Sequence, residues 1–422
     1  MNQSIGAPDG TEVLTGVTVR ALRGVRLIGG TLADIGIADG HVVDGVPDTA
    51  GVDLDATGWR VLPAACEPHA HLDKALTAAR MDPGTGNDLM SAITSWREIV
   101  TAVDAADIAA RALMAVRRYT ARGITTIRTH VDIPQTGDPM RGIDALVALR
   151  ERLRGRVTLQ VCVLAGSDVP DAQIAEAIRR GADVIGGCPH LAPDPHHEVT
   201  RALDAAQRHG LPVDLHADEQ TDVTLADDAL DLTDLAEQVL RRRLPQRITA
   251  SHCVRLGALP PERLDPVLAL VARAGIGIVT LPITNLYLQG RDTTHLVPRG
   301  LAAVRRILDA GIPLAAGADN LRDPFNPAGR ADPFETTSLL MTAGHLRGEE
   351  ALAAITTGAR TVLGLPAAGT DVGDVADLML VPDGDLGDVL AGAEDARIVL
   401  TGGRVVADTR VRRTLDIPER QV

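Results

Sequence analysis

The stretch VLPAACEPHAHLDK, residues 61–74, opens on apolar, strand-forming residues and closes on a dense polar run. Alternate residues of a β-strand point to the same side, so His69 and His71 share one face at the strand's C-terminal end, spaced to chelate a single ion. Alone, an H-x-H pair decides little, because histidines at alternate strand positions also serve as hydrogen-bonded core residues. What gives the pair weight is the rest of the chain.

Seven further short strand candidates follow at regular intervals: ITTIRTHVDI (124–133), VTLQVCVLA (157–165), ADVIGGC (182–188), LPVDLHA (211–217), ITASHC (248–253), IGIVTLP (276–282) and IPLAAGAD (312–319). Between them run amphipathic segments such as 104–123, 171–182, 198–210 and 300–311, several of them ending in a glycine able to cap a helix. Eight strands alternating with helices predict an α/β fold, a (β/α)8 TIM barrel of parallel strands, with an open doubly wound sheet as the alternative. The barrel is favoured because the polar clusters fall at strand C-terminal ends, where barrel enzymes build their sites. Residues 11–63 and the segments 375–381 and 397–412 alternate apolar runs with turn signals, including Gly402-Gly403. They predict two β segments that pair to form a small β-sandwich from the N- and C-termini. The expected division is 1–62, 63–365 and 366–422.

Composition narrows the function. The chain has 422 residues, 45% of them hydrophobic, and a formal charge of −14. It is large enough for a substantial core. Its charge opposes binding to nucleic acid or to an anionic membrane surface. It shows no apolar run long enough to span a bilayer and no signal-peptide pattern, so the expected compartment is the cytoplasm. Cys66, Cys162, Cys188 and Cys253 lie in or beside apolar runs and read as small buried residues. Lys74 is the single lysine among 42 basic residues. Trp59, Trp96, Tyr119, Tyr287, Phe325 and Phe334 are the only large aromatic side chains.

The remaining strand ends supply chemistry. Strand 5 ends LHADEQ, giving His216 and, three residues on, Glu219; strand 6 ends SHC with His252; strand 8 ends GADN with Asp319. Each alone reads equally well as a cap or a buried hydrogen-bonded group. Together they converge on the barrel axis. Three neutral imidazoles and a carboxylate, His69, His71, His216 and Asp319, suit one divalent metal ion, Zn²⁺ or Fe²⁺, with a position left for water. Glu219 stands as proton shuttle, His252 orients the attacking oxygen, and Asp319 both ligates and accepts a proton. Strand 4 offers no lysine to bridge a second metal. Lys74 follows the H-x-H-x-D run and either meets a substrate oxygen or pairs with a rim carboxylate. His190 either contacts substrate or satisfies loop backbone, and His130 and Asp132 support the metal ligands rather than bind metal.

The strings EPHAHLD (67–73), RTHVD (128–132), GADVIGGCPH (181–190), DLHADE (214–219), TASHC (249–253), LYLQGR (286–291) and GADN with its following DP (317–324) resemble the cytosine deaminase branch of the amidohydrolase superfamily, over nearly the whole chain. The resemblance implies a metal-dependent barrel hydrolase that deaminates a small nitrogen heterocycle and releases ammonia. The same machinery in related enzymes removes an N-alkylamine from an ammelide-like triazine, or opens a cyclic amide. It carries over His69, His71, His216 and Asp319 as ligands, Glu219 as shuttle and His252 as the residue that positions hydroxide. Around the substrate the sequence departs from the pattern. Gly166 stands nearest to a substrate-binding glutamine, Asn320 replaces a second aspartate, Phe325 replaces a tryptophan, and Lys74 replaces a small hydroxyl residue. Whether the chain assembles as a homo-oligomer is left open.

Overall fold

The computed structural model describes residues 2–4 and 14–411, except 83, 85, 87, 221–228, 292, 293 and 296, and of residues 2–4 it describes the backbone alone. Residues 11–13 and 412 of the expected β segments lie outside the described residues.

Eight parallel strands carry the middle of the chain: β1 (Ala65–Ala70), β2 (Ile124–Asp132), β3 (Thr158–Ala165), β4 (Val184–Gly187), β5 (Val213–Ala217), β6 (Ile248–His252), β7 (Gly277–Thr280) and β8 (Leu314–Ala316). Each pairs with its neighbours in sequence order. A parallel bridge between Ala70 and Asp319 then joins the end of the sheet back to β1. This is the expected (β/α)8 barrel. Every residue of β5, β6, β7 and β8 is buried, as follows when helices cover one face of a parallel sheet and side chains fill the other. The connecting helices end as their glycines predict: after Pro195–His209 and Pro261–Ala274 the chain turns at Gly210 (φ +70°) and Gly275 (φ +67°), a left-handed conformation that costs glycine little.

Cα packing divides the chain into two compact units, one of residues 65–119 and 124–367 and the other of residues 1–64, 120–123 and 368–422. The second unit is built on a nine-stranded mixed sheet. Its N- and C-terminal parts meet where Trp59–Pro63 runs antiparallel to Leu378–Pro382, the pairing that the terminal patterns predict. Leu22, Leu54, Trp59, Val61, Leu380 and Ile398 are among the residues of its apolar core. Ile398–Thr401 and Arg404–Asp408 form the hairpin around Gly402 and Gly403, both at positive φ. One expectation is refined. The strand expected from VLPAACEPH (61–69) is not one strand but the end of Trp59–Pro63 followed by β1, and the division falls just after Pro63, which has no N–H to carry a ladder onward. Among the described residues no helix is long and apolar enough to cross a membrane.

β1 is stapled to the end of the barrel by one buried carboxylate. Glu67 Oε2 accepts the Ala318 N–H at 2.9 Å and Oε1 accepts that of His69 at 3.4 Å. Gly317 makes room for it, since a Cβ there would lie 2.1 Å from Glu67 Oε1 and 3.0 Å from Pro68 Cδ. Gly317→Ala is therefore expected to destabilise the protein by about 1–3 kcal/mol, seen as a lower denaturant midpoint at unchanged slope. A midpoint equal to that of the wild type would mean the carboxylate is free to swing aside.

Candidate active site

Four donor atoms meet where β1, β5 and β8 end. His69 Nε2 lies 3.1 Å from His216 Nε2, which lies 3.3 Å from His71 Nε2; Asp319 Oδ1 is 3.3 Å from His71 Nε2 and 3.9 Å from His69 Nε2. All four side chains are buried. Burial, reinforced by neighbouring histidines and by Lys74 beside His71, holds the three imidazoles well below the usual histidine range, so they are neutral. Asp319 Oδ1 has no hydrogen-bond donor among the described residues, and burial first, then the charges of Glu219, Asp323 and Glu67, push its carboxyl well above the ordinary range. Neutral lone-pair donors facing an unsatisfied buried carboxylate oxygen could hold a metal ion, with His69, His71 and Asp319 as one such group and His69, His216 and His252 as another.

A chain of contacts behind the histidines fixes which nitrogen of His69 faces the centre of the cluster. Ser251 Oγ donates to Asp214 Oδ1 at 2.7 Å, which leaves its oxygen to accept from His69 Nδ1–H at 2.9 Å. The proton of His69 is thus on Nδ1, and its Nε2 lone pair is turned toward His216 Nε2. Asp214 is in turn held by Arg128, whose Nη1 donates to Oδ2 at 2.8 Å with both side chains buried. His130 stacks on His69 with ring centroids 3.8 Å apart and lies 3.6 Å from Asp214.

Glu219 stands between two histidines. His252 Nδ1 is 3.6 Å from Oε1 and His190 Nε2 is 3.5 Å from Oε2. His190 Nδ1–H donates to the His216 carbonyl at 3.1 Å, and the Asn285 amide lies 3.0 Å from His252 Nδ1. Burial alone would push the Glu219 carboxyl up, but His252, His190 and Lys74 outweigh it and hold it below the usual carboxylate range. It is a carboxylate at neutral pH, ready to take up a proton. The loop that carries it is pinned by reciprocal bonds: Asp231 N and Leu232 N donate to the Asp218 carboxylate, and Asp218 N donates to Asp231 Oδ2. Asp218, His252, Cys253 and Asp319 all adopt left-handed backbone (φ +51°, +71°, +49° and +67°). For residues with a Cβ this costs roughly 1–2 kcal/mol each, and such strain concentrates at functional sites.

The outer residues fall into distinct places. Lys74 is buried, 3.0 Å from Asp132 Oδ2 and 3.2 Å from His71 Nδ1, with the rings of Trp96 and Phe325 centred 5.4 and 5.5 Å away. Asn320 commits its amide to Asp323, donating to Oδ2 at 2.9 Å. Asp323 Oδ1 accepts the Phe325 N–H at 2.9 Å, which fixes the turn that carries that ring. His190 touches Glu219 and the backbone of β5 at His216. Gly166 sits in an exposed turn closed by a bond from Val169 N to its carbonyl, and among the described residues it makes none of the cluster's contacts. Arg291 packs against the ring of Tyr287, four residues back.

A family model described as the amidohydrolase family matches residues 97–407. The chain is an amidohydrolase. It is a hydrolase of C–N bonds, and it resembles a pterin deaminase from Rhizobium rhizogenes, 33% identical over 407 residues that cover 92% of this chain and 91% of that protein. Among solved structures, the amidohydrolase is similar to 5-methylcytosine deaminase from Klebsiella pneumoniae liganded with phosphonocytosine, at a TM-score of 0.82 and 26% identity over 95% of this chain and 100% of that one. It is also similar to N-isopropylammelide isopropylaminohydrolase from Burkholderia multivorans, at a TM-score of 0.78 and 28% identity over 93% and 98% of the two chains.

Several residues of this amidohydrolase escaped the sequence reading. Asp214 and Ser251 were within reach of it: Asp214 lies two residues before His216 on the same face of β5, and Ser251 precedes His252. Trp96 was not, because it lies on the helix Leu89–Ile99, in an excursion between β1 and β2 whose course no strand periodicity dictates.

Proposed function

We propose that this amidohydrolase hydrolytically deaminates an amino-substituted nitrogen heterocycle of the pterin or cytosine type, with one divalent metal ion, Zn²⁺ or Fe²⁺, held by His69, His71, His216 and Asp319. The observation that carries the reading is the convergence of four buried donor atoms beside an ionised Glu219. A cation held there would supply a water acidic enough to lose a proton near neutral pH. Glu219 accepts one proton and delivers it to the ring nitrogen next to the carbon under attack. His252, its ring oriented by Asn285, holds the attacking oxygen in line. Asp319 accepts the second proton from that oxygen, and this proton leaves on the departing amine. His190, anchored on the His216 carbonyl, keeps Glu219 turned into the site.

The substrate contacts in this reading are Lys74, beside His71, and Phe325, whose ring is centred 5.5 Å from the Lys74 ammonium. Asn320 and His190 act through Asp323 and Glu219, and Gly166, in the exposed turn after β3, brings only backbone, since a Cβ there would lie 2.7 Å from Asp168 Oδ1. The similarity to the pterin and 5-methylcytosine deaminases supports loss of ammonia. The similarity to N-isopropylammelide isopropylaminohydrolase supports a second reading, in which an alkylamine leaves. The expected result with metal-loaded protein is ammonia release from pterin or cytosine-type rings, and little isopropylamine from N-isopropylammelide. Isopropylamine release without ammonia release would overturn the first reading in favour of the second.

A further inference from the structure

Alternate residues Arg128, His130 and Asp132 share one face of β2. The first two are fixed as facing the barrel interior, by the Arg128–Asp214 pair and by the stacking of His130 on His69. Asp132 is therefore the next group up on the site side, toward the C-terminal mouth of the barrel. Its side chain is 25% exposed, against 3% for Lys74. Its Oδ2 is saturated, accepting from Lys74 Nζ at 3.0 Å and from Trp96 Nε1 at 2.5 Å. Among the described residues no donor reaches Oδ1.

We propose that Lys74 and Asp132 read the lactam edge of the substrate ring, the ammonium donating to a ring carbonyl oxygen and Asp132 Oδ1 accepting the neighbouring ring N–H. The proposal deepens the deaminase reading above and rests on it. The Lys74 ammonium is 3.9 Å from Asp73 Oδ2 as well, so one ammonium stands among two carboxyl groups; the corner matches a neutral edge that offers one acceptor and one donor, whereas a carboxylate or phosphate would be repelled. Lys74 Nζ also lies 3.2 Å from His71 Nδ1. With Nε2 of His71 on a metal ion, its Nδ1 would carry the proton and could not accept from the ammonium, whose N–H would then be free to turn to substrate. Trp96 and Phe325 flank the ammonium with apolar surface suited to a flat ring. In a chain that otherwise uses arginine, its single lysine gives this corner a compact point donor in place of a planar fork.

The test uses unreactive lactams, lumazine and uracil with their N1- and N3-methyl derivatives, titrated calorimetrically into metal-loaded full-length protein. At least one methyl derivative is expected to bind the wild type ten- to a hundred-fold more weakly than its parent, roughly the loss of one hydrogen bond to a charged group. In Asp132→Ala that ratio falls to within about three-fold at unchanged metal content, while Asp132→Asn, which keeps a neutral acceptor, retains part of it. The conservative variant also guards against a misfolded alanine variant. Equal binding of parents and methyl derivatives by the wild type, no binding of either parent, or full discrimination in both variants would overturn the proposal. Ammonia release alongside flat ratios would leave the deaminase reading standing without this one, and discrimination without ammonia release would do the reverse.

Discussion

Glu219→Gln is expected to lower kcat by roughly 10²–10⁴-fold, the usual contribution of one positioned acid–base group, with little change in metal content. The structure sets out why the two effects separate. Glu219 is not one of the four converging donors; it faces His252 and His190, at 3.6 and 3.5 Å, and it is buried. Glutamine keeps the shape and hydrogen-bonding reach but neither accepts nor releases a proton at neutral pH. The substrate KM should move far less than kcat, because the proton transfers occur in the transition state. Steady-state kinetics with metal analysis of the same preparation decides it. A variant retaining most of its kcat would remove Glu219 from the proton path, and a variant that had lost its metal would reassign it as a structural support.

How much of this was legible in the sequence depended on periodicity. His69 and His71 declare themselves through the two-residue repeat of β1, and His216, Glu219, His252 and Asp319 through their positions at the ends of apolar runs; every one of these is buried where those strands end. The barrel follows from the same alternation. What periodicity cannot show is pairing between distant segments. Arg128 and Asp214 are 86 residues apart in sequence, and only the closed barrel brings them together. Trp96 reaches Asp132 from a helix outside the repeating pattern. Asn320 reads as a substrate contact by position alone, and its bond from Nδ2 to Asp323 is a fact of three-dimensional packing in a loop. Loop residues past a strand end are thus the least readable from sequence, and they also set substrate choice.

The buried pair of Arg128 and Asp214 allows fold and metal affinity to be separated. Burial opposes ionisation of Asp214, but His130, Arg128 and Ser251 together hold its carboxyl down to about 2. Its folded value lies below the unfolded carboxylate value of about 3.9, so the stability it contributes is complete above that value and lost only as pH falls through about 2. Asp214→Leu leaves Arg128 buried without its counter-charge and should cost about 3–5 kcal/mol, a large part of a typical domain's stability. Replacing both partners, Arg128→Met with Asp214→Leu, should recover most of that loss, because two apolar side chains fill the space without an unpaired charge. Metal affinity should not recover with it. Without Asp214 the Ser251 hydroxyl is no longer committed as a donor and can turn its proton toward His69, so the tautomer that presents Nε2 is no longer enforced. Both variants are therefore expected to bind metal roughly 10–100-fold more weakly. Thermal melts paired with metal titration of the two proteins test this: a double variant that regains wild-type affinity along with its stability would show that Asp214 acts on the metal position only through the fold.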